Sequence, residues 1–347
     1  MKLSFISSQA IQNAMRQTIR QARNEMTDAS TEATTGVYAD IGVALGSNTS
    51  LSVNLGREVS RIDSILGSNS IANQRMTSSQ TALTGMSSQA QKLMDQLVAL
   101  RGNTDSNSIA LSQQLATSTL SSVVASANVM VNGEYLFAGT NTDVQPMTDK
   151  SATTNTAIKN ALATYATTKG VTVDKLSGAQ IKDFITTTVE PMFTTDANWA
   201  SWSSASDQNM TSRISNTDVV ETSTNSNSAG MRYLALATSV TNALMSTTPA
   251  LSQDAMSAVA DQAISYSRQA IDGLNNQASQ LGLSQARLSD ANTSLNAQKT
   301  ILTTNIGDLT GVDPYEASTK VSNLQTQLQT AYTIVSKIQQ LSLVNYL

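Results

Sequence analysis

Neither a histidine nor a cysteine occurs among the 347 residues, so any chemistry this chain could do falls to carboxylates, arginines, hydroxyls and amides. Without imidazole there is no Ser-His-Asp or Cys-His nucleophile, no general base poised near neutral pH, and no imidazole metal ligand. Without thiols there is no disulfide, no thiolate zinc site and no thiol nucleophile. What remains is sparse. Asp143 and Asp149 are near one another, but their spacing fits no coordination loop and reads as surface solvation. Arg16, Arg20 and Arg23 recur at helical spacing. Three arginines without interleaved aromatics make a poor nucleic-acid footprint. They read as a solvated face, or as partners for Glu25, Asp28 or Glu32 of a neighbouring chain. The chain is expected to be no enzyme and to need no metal or cofactor.

Composition points the same way. Hydrophobic residues make up 40% but aromatic ones only 4%, which suits the thin core between paired helices better than the thick core of an enzyme. The net charge is −4 with no block of Lys or Arg, so nucleic acid is not an expected partner. No run of 18 apolar residues exists, so no membrane span is expected. The first nine residues carry one basic side chain and no apolar run long enough for a cleavable signal peptide.

The elements that could hold such a chain together are long helices. From about Ser8 to Thr35, Met15, Ile19, Ala22, Met26, Ala29 and Ala33 alternate at spacings of four and three, the hydrophobic period of a supercoiled helix. Gly36 reads as its stop, followed by a turn-rich loop or hairpin to Gly56. A second seam runs through Leu55, Val59, Ile62, Leu66, Asn69, Asn73, Met76, Gln80, Leu83, Ser87, Ala90, Met94 and Leu97 without a slip. At 1.5 Å per residue it predicts a helix roughly 65–70 Å long. Its polar members, Asn69, Asn73, Gln80 and Ser87, either select register inside a seam or mark a wet stretch. A third helix carries Leu111, Leu115, Leu120, Val124, Ala127 and Val131 and is expected to end at Asn132-Gly133, with Glu134–Thr140 a strand closed by glycine.

From about Gly139 to Ser228 the chain turns to Ser, Thr, Asn and Asp, and holds both tryptophans and two of the four phenylalanines. A separate small core is expected there, mixed α/β or mostly β, with helices near 157–167 and 179–188 and strands near 210–214 and 219–224. Helical periodicity returns near Ala229–Met245. It is then sustained from Met256 to Leu309 through Leu274, Leu281, Leu288, Leu295 and Leu302. This span mirrors the 55–97 seam, so the two should pack antiparallel. Asp313-Pro314-Tyr315-Glu316 is a strong helix start, and Ala317, Val321, Leu324, Leu328, Ala331, Val335, Ile338 and Ser342 continue the heptad. This last helix should meet the first. The fold expected is mainly α: a long antiparallel coiled-coil bundle from both chain ends with an inserted mixed or β central domain. Its parts would be 1–50 with 311–347, 51–133 with 229–310, and 134–228. Within it, Leu55, Val59, Ile62, Leu66, Met76, Leu83 and Leu97 would face Leu274, Leu281, Leu288, Leu295 and Leu302 in one chain. Met15, Ile19, Ala22, Met26, Val321, Leu324, Leu328, Val335 and Ile338 would serve assembly between chains. Stripes so narrow leave an isolated helix marginal in water.

Three stretches bear a family likeness. Gln91–Leu97 with Arg101–Ser106, Gly133-Glu134-Tyr135-Leu136-Phe137-Ala138-Gly139-Thr140, and Ser336–Leu347 resemble the flagellin superfamily, most closely the hook-associated protein 3 family of the hook–filament junction. The likeness covers roughly 1–140 and 229–347. One departure is Tyr38-Ala39-Asp40-Ile41-Gly42-Val43, where that family often has an Asp/Pro-rich segment. The resemblance implies an exported, extracellular structural adaptor of the bacterial flagellum, secreted by the flagellar type III apparatus. Its implied partners are hook-associated protein 1, flagellin and sister subunits in a ring, with an export chaperone on the C-terminal helix beforehand. A flagellin proper is the alternative. Tyr135, Leu136, Phe137 and Gly139 would lead into the outer domain, as strand residues of its core or as braces of a hinge.

Overall fold

The computed structural model of the chain describes residues 8–102 and 105–344. They form two compact units, 1–64 with 294–347 and 65–293. The protein is mainly helical, with long helices from both ends of the chain and a small central region holding a few short strands.

In the first unit, α1 (Ser8–Thr35) spans the predicted stretch. It stops at Gly36, whose φ of 69° lies in the left-handed region that glycine adopts without strain. The loop expected from Gly36 to Gly56 is instead mostly helical. Asp40 caps α2 (Ile41–Leu45) by accepting the Val43 N–H at 2.9 Å, and Gly46 (φ 52°) turns the chain into α3, which starts at Thr49. Gly56 sits inside α3 with open space beside it, so nothing there breaks the helix.

Helices α3 (Thr49–Gly102) and α10 (Gln253–Thr310) supply residues to both units. Their contacts step in opposite directions along the two chains, as an antiparallel pair requires. In the first unit Lys299 Nζ donates to Asp63 at 2.6 Å. In the second, Asn69 donates to Asn292 at 2.7 Å, Gln285 to Thr77 at 2.8 Å and to Asn73 at 3.2 Å, Gln80 to the Ala278 carbonyl at 3.1 Å, and Ser87 to Asn275 at 3.2 Å. Every polar residue of the predicted seam therefore bonds across to α10. A one-turn slip would strand these amides, so they select register.

In the second unit the buried face of α3 is wider than one seam. Beside Met76, Leu83, Ala90 and Leu97 runs a second row at seven-residue spacing, Ala72, Ser79, Met86, Leu93 and Leu100. Near the Leu93–Leu100 end α3 meets α4 (Ser106–Ala127), where Gln96 reaches Ser112 at 3.4 Å, and Ala72, Met86, Leu93 and Leu100 join one hydrophobic cluster with Ala116, Leu120 and Val123 of α4. Helix α4 stops earlier than its apolar spacing predicts. Val131 belongs instead to β1 (Met130–Val131), which pairs antiparallel with β2 (Glu134–Tyr135). Asn132 (φ 55°) and Gly133 (φ 85°) form the two-residue hairpin turn whose backbone twist needs two positive φ angles, rather than a helix stop.

The central insertion is mixed rather than β-rich. It carries α5 (Ser151–Thr168), α6 (Gly178–Phe184) continued by a π turn over Ile185–Val189, and the single turns α7 (Pro191–Thr194) and α8 (Asp196–Trp199). A short hairpin of β3 (Thr211–Arg213) and β4 (Val219–Glu221) follows. Its aromatic residues do not make a core of their own. Trp199 and Trp202 stack at 6.0 Å, Phe193 lies 5.7 Å from Trp202, and all three join one hydrophobic cluster with Leu83, Leu97 and Leu274. The hub of that cluster is α9 (Ala229–Leu244), buried on nearly every face. It reaches α10 so closely that a Cβ on Gly230 would stand 2.7 Å from the Leu274 nitrogen, and one on Gly273 2.6 Å from Gly230 Cα. α11 (Pro314–Val344) belongs to the first unit and starts where Asp313 accepts the Tyr315 N–H at 2.8 Å.

Candidate functional site

The terminal helices α1 and α11 pack antiparallel in one chain. Val312 N–H donates to the Gly36 carbonyl at 2.9 Å and Tyr38 N–H to Thr310 at 3.0 Å, which anchors the end of α1 beside the start of α11. Between them Ala22, Ala29, Leu324 and Leu328 are buried, with Ile19, Met26 and Val321 packed against them. Met15, Val335 and Ile338 are half-buried further along. The stripe expected to await other chains is thus occupied first by its own partner helix, because the two narrow faces match in period and run in opposite senses. Among the described residues these four small or medium side chains are a thin core for helices of 28 and 31 residues. The remaining apolar surface stays open. A groove of about 830 Å³ runs between Ile11, Met15 and Thr18 on α1 and Gln327, Ala331 and Ile334 on α11. Tyr315 is 83% exposed at the other end.

Of the expected intramolecular seam, Met76, Leu83, Leu97, Leu274, Leu281 and Leu288 are buried in the second unit, and Leu66 is half-buried. Ile62 and Leu295 are buried in the first unit, while Leu55, Val59 and Leu302 are half-buried.

The 133–140 stretch is a strand for only two residues. Leu136, Phe137, Ala138 and Gly139 then turn inward and are fully covered. The Phe137 carbonyl accepts from Ser226 N–H at 2.8 Å, the Ala138 carbonyl from Ser206 N–H at 3.0 Å, and Gly139 N–H donates to Thr224 at 3.3 Å. At Gly139 (φ 62°) a Cβ would stand 2.5 Å from the Ser206 carbonyl oxygen, so the site admits no side chain. Sequence reasoning missed the residue that braces this segment from the helix. Arg75 is 7% exposed, pairs with Glu134 and donates to the Tyr135 carbonyl at 2.8 Å. An arginine one position before seam residue Met76 gives no signal in a heptad pattern.

Chemistry is scarce. Asp143 and Asp149 are exposed, and Asp149 accepts the Ser151 N–H at 2.8 Å. Among the described residues no group of three or more acidic side chains is placed to hold a metal ion. No described helix is long and apolar enough to cross a membrane. Burial, and a hydrogen bond donated to Glu190 at 2.7 Å, push the Tyr266 phenol above the ordinary tyrosine range. Burial and a bond to Asp183 at 2.6 Å raise Tyr165 to about 12. Both phenols stay neutral and serve packing.

Comparison with known proteins matches these helical ends. Residues 6–142 match the bacterial flagellin N-terminal helical region and residues 264–347 the bacterial flagellin C-terminal helical region, together more than half of the chain. The chain belongs to the bacterial flagellin family. A solved structure from Vibrio parahaemolyticus, named as a candidate flagellar hook-associated protein, shares the fold at a TM-score of 0.53 and 12% identity, over 76% of this chain and 97% of its own. No curated protein sequence matches the chain. As a flagellin-family member it is a structural component of the flagellum. Residues 143–263, which hold α5 through α9 and the β3–β4 hairpin, fall outside both family matches.

Proposed function

We propose that this flagellin-family protein is the adaptor of the hook–filament junction. It would join hook-associated protein 1 to the flagellin filament and assemble with sister subunits through α1 and α11. The observation that carries this reading is the mismatch between the long helices α1 and α11 and the four residues buried between them among the described ones, with an apolar groove left open beside it. Two buried leucines contribute about 1.5–3 kcal/mol each, little against the ordering of two such helices. Neighbouring subunits are the natural source of the missing contacts. The junction role, rather than that of a filament subunit, is supported by the likeness of Gly133–Thr140 to the hook-associated protein 3 family. Secretion through the flagellar type III apparatus, with a chaperone on α11 beforehand, belongs to the same reading. So does the absence of catalysis, which the lack of histidine and cysteine supports.

The test is genetic and visual. Deleting the gene should leave hooks without filaments and flagellin spilled into the medium. Filaments of normal length on the deleted strain would refute the junction role. The flagellin alternative is favoured by the match to both flagellin helical regions. Electron microscopy of the assembled protein separates the two, since a filament subunit grows long fibres and a junction protein stops at a short layer.

A further inference from the structure

Six charged residues of α1 find no ionic partner among the described residues. Arg16, Arg20 and Arg23 occupy its first half, and Glu25, Asp28 and Glu32 its second. None forms an ion pair among the described residues, although eight other pairs do. Among the described residues Glu25 accepts only from Gln21 at 3.0 Å, and Glu32 only from the Ala39 N–H at 3.2 Å. All three arginines and Asp28 are exposed.

Their angular positions are not random. Taking the buried stripe of α1 as reference, 100° per residue sets the arginines about 105° to one side of it and the acids about 105° to the other. The helix therefore has a basic flank and an acidic flank, one on each side of the face given to α11. Along the axis the centres of the two groups lie about 13 Å apart. A two-fold dimer sets a surface against itself, and here that means like charge near like charge. An antiparallel neighbour with its seam on the same side also offers like flank to like flank. A parallel neighbour does not: its acidic flank meets the basic flank of the first copy.

We infer that α1 carries a two-sided charge code for a second copy of this chain. The arginine flank of one copy lies against the acidic flank of the next, side by side and parallel, displaced along the helix axis by about 13 Å. The contact is heterologous, so a pair of copies keeps one free flank of each sign, one on either copy, and repetition produces a ring or a helical array, not a closed dimer. The inference rests on the assembly reading above and adds which residues choose the neighbour and in what order.

The full-length chain tests it, with association read by sedimentation velocity and negative-stain microscopy at about 0.05 M and about 0.5 M salt. R16E/R20E/R23E has two acidic flanks and E25R/D28R/E32R two basic ones. Each alone should associate at least about tenfold more weakly than the native chain at low salt, with unchanged helicity by circular dichroism. Mixed in equal amounts they should recover, alternating along the array, and so should the six-fold swap. R16K/R20K/R23K should associate like the native chain. Because Glu32 also holds the Ala39 N–H, the pair variant E25R/D28R leaves that contact in place and should still weaken association. Block variants that associate as well as the native chain, or a mixture that fails to recover, overturn the charge code while helix-mediated assembly stands. A native chain that stays monomeric, or association that survives removal of residues 1–35, overturns the assembly reading and the code together.

Discussion

The α1–α11 pair and the region around α9 are both helical, yet they are held in different ways. Around α9 the core is thick: Trp199, Trp202, Phe184, Phe193 and Tyr266 fill it, and helix backbones touch at Gly230 and Gly273. Between α1 and α11 it is one layer of Ala22, Ala29, Leu324 and Leu328 with an open groove beside it. A thick core supports its own unit, whereas a thin seam leaves surface for others. The second unit thus reads as a self-sufficient body and the terminal pair as a joint whose contacts are completed on assembly. Substitutions in the two regions should separate stability from assembly.

The largest effect is expected from Trp202→Ala. Losing a buried, stacked indole should cost about 3–5 kcal/mol, read as a lower denaturant midpoint by far-ultraviolet circular dichroism. A loss below about 1 kcal/mol would mean the aromatic cluster is not the core of its unit. Gly230→Ala comes next, at about 1–3 kcal/mol, because the new methyl meets α10 backbone and the helices must part. If the variant is as stable as the native chain, the close crossing is not held in solution. Leu328→Ala should cost the monomer no more than about 2 kcal/mol, the low end for a buried leucine, since the layer it packs in is thin and the helices can close on the gap. Its effect on assembly should be the greater one. Equal losses in both readouts would erase the contrast between the regions.

The smallest effect concerns pH. Tyr266 and Tyr165 have folded pKa values raised above that of the unfolded chain, so their contribution is complete below about pH 10 and falls as pH rises through the folded values. For Tyr165 that window runs from about 10 to about 12. Tyr266→Phe should flatten part of the stability loss above about pH 10, measured by denaturant titration at each pH. Among the described residues the terminal pair has no such buried phenol, Tyr315 and Tyr332 being exposed, so its helicity should change less over the same range. A loss of α1–α11 helicity ahead of the central unit would contradict this.

Where local chemistry alone sets an element, the residues were sufficient. Gly36 stops α1, Asp313-Pro314 starts α11, and the four-three spacing of Met15 to Ala33 and of Ala317 to Ile338 placed matching stripes on two helices. The polar seam residues could be located but not interpreted, because whether Asn69 or Gln80 is wet or bonded depends on what α10 presents opposite. Val131 was misread for a related reason. Its spacing continues the helix of Val124 and Ala127, and only the pairing with Glu134 makes it a strand.

Period and caps by themselves determined the mainly helical architecture, where α1 stops and α11 starts, and the matching apolar stripes on the two. They could do so because each depends on neighbours three to seven residues away. The tertiary structure decided what depends on distant neighbours. The row from Ala72 to Leu100 is buried because residues distant in the sequence cover it, and Arg75 holds Glu134 only because β2 arrives beside α3. The aromatic residues of the insertion joined the bundle core, since α9 and α10 approach closely enough at two glycines for a single cluster to close around them.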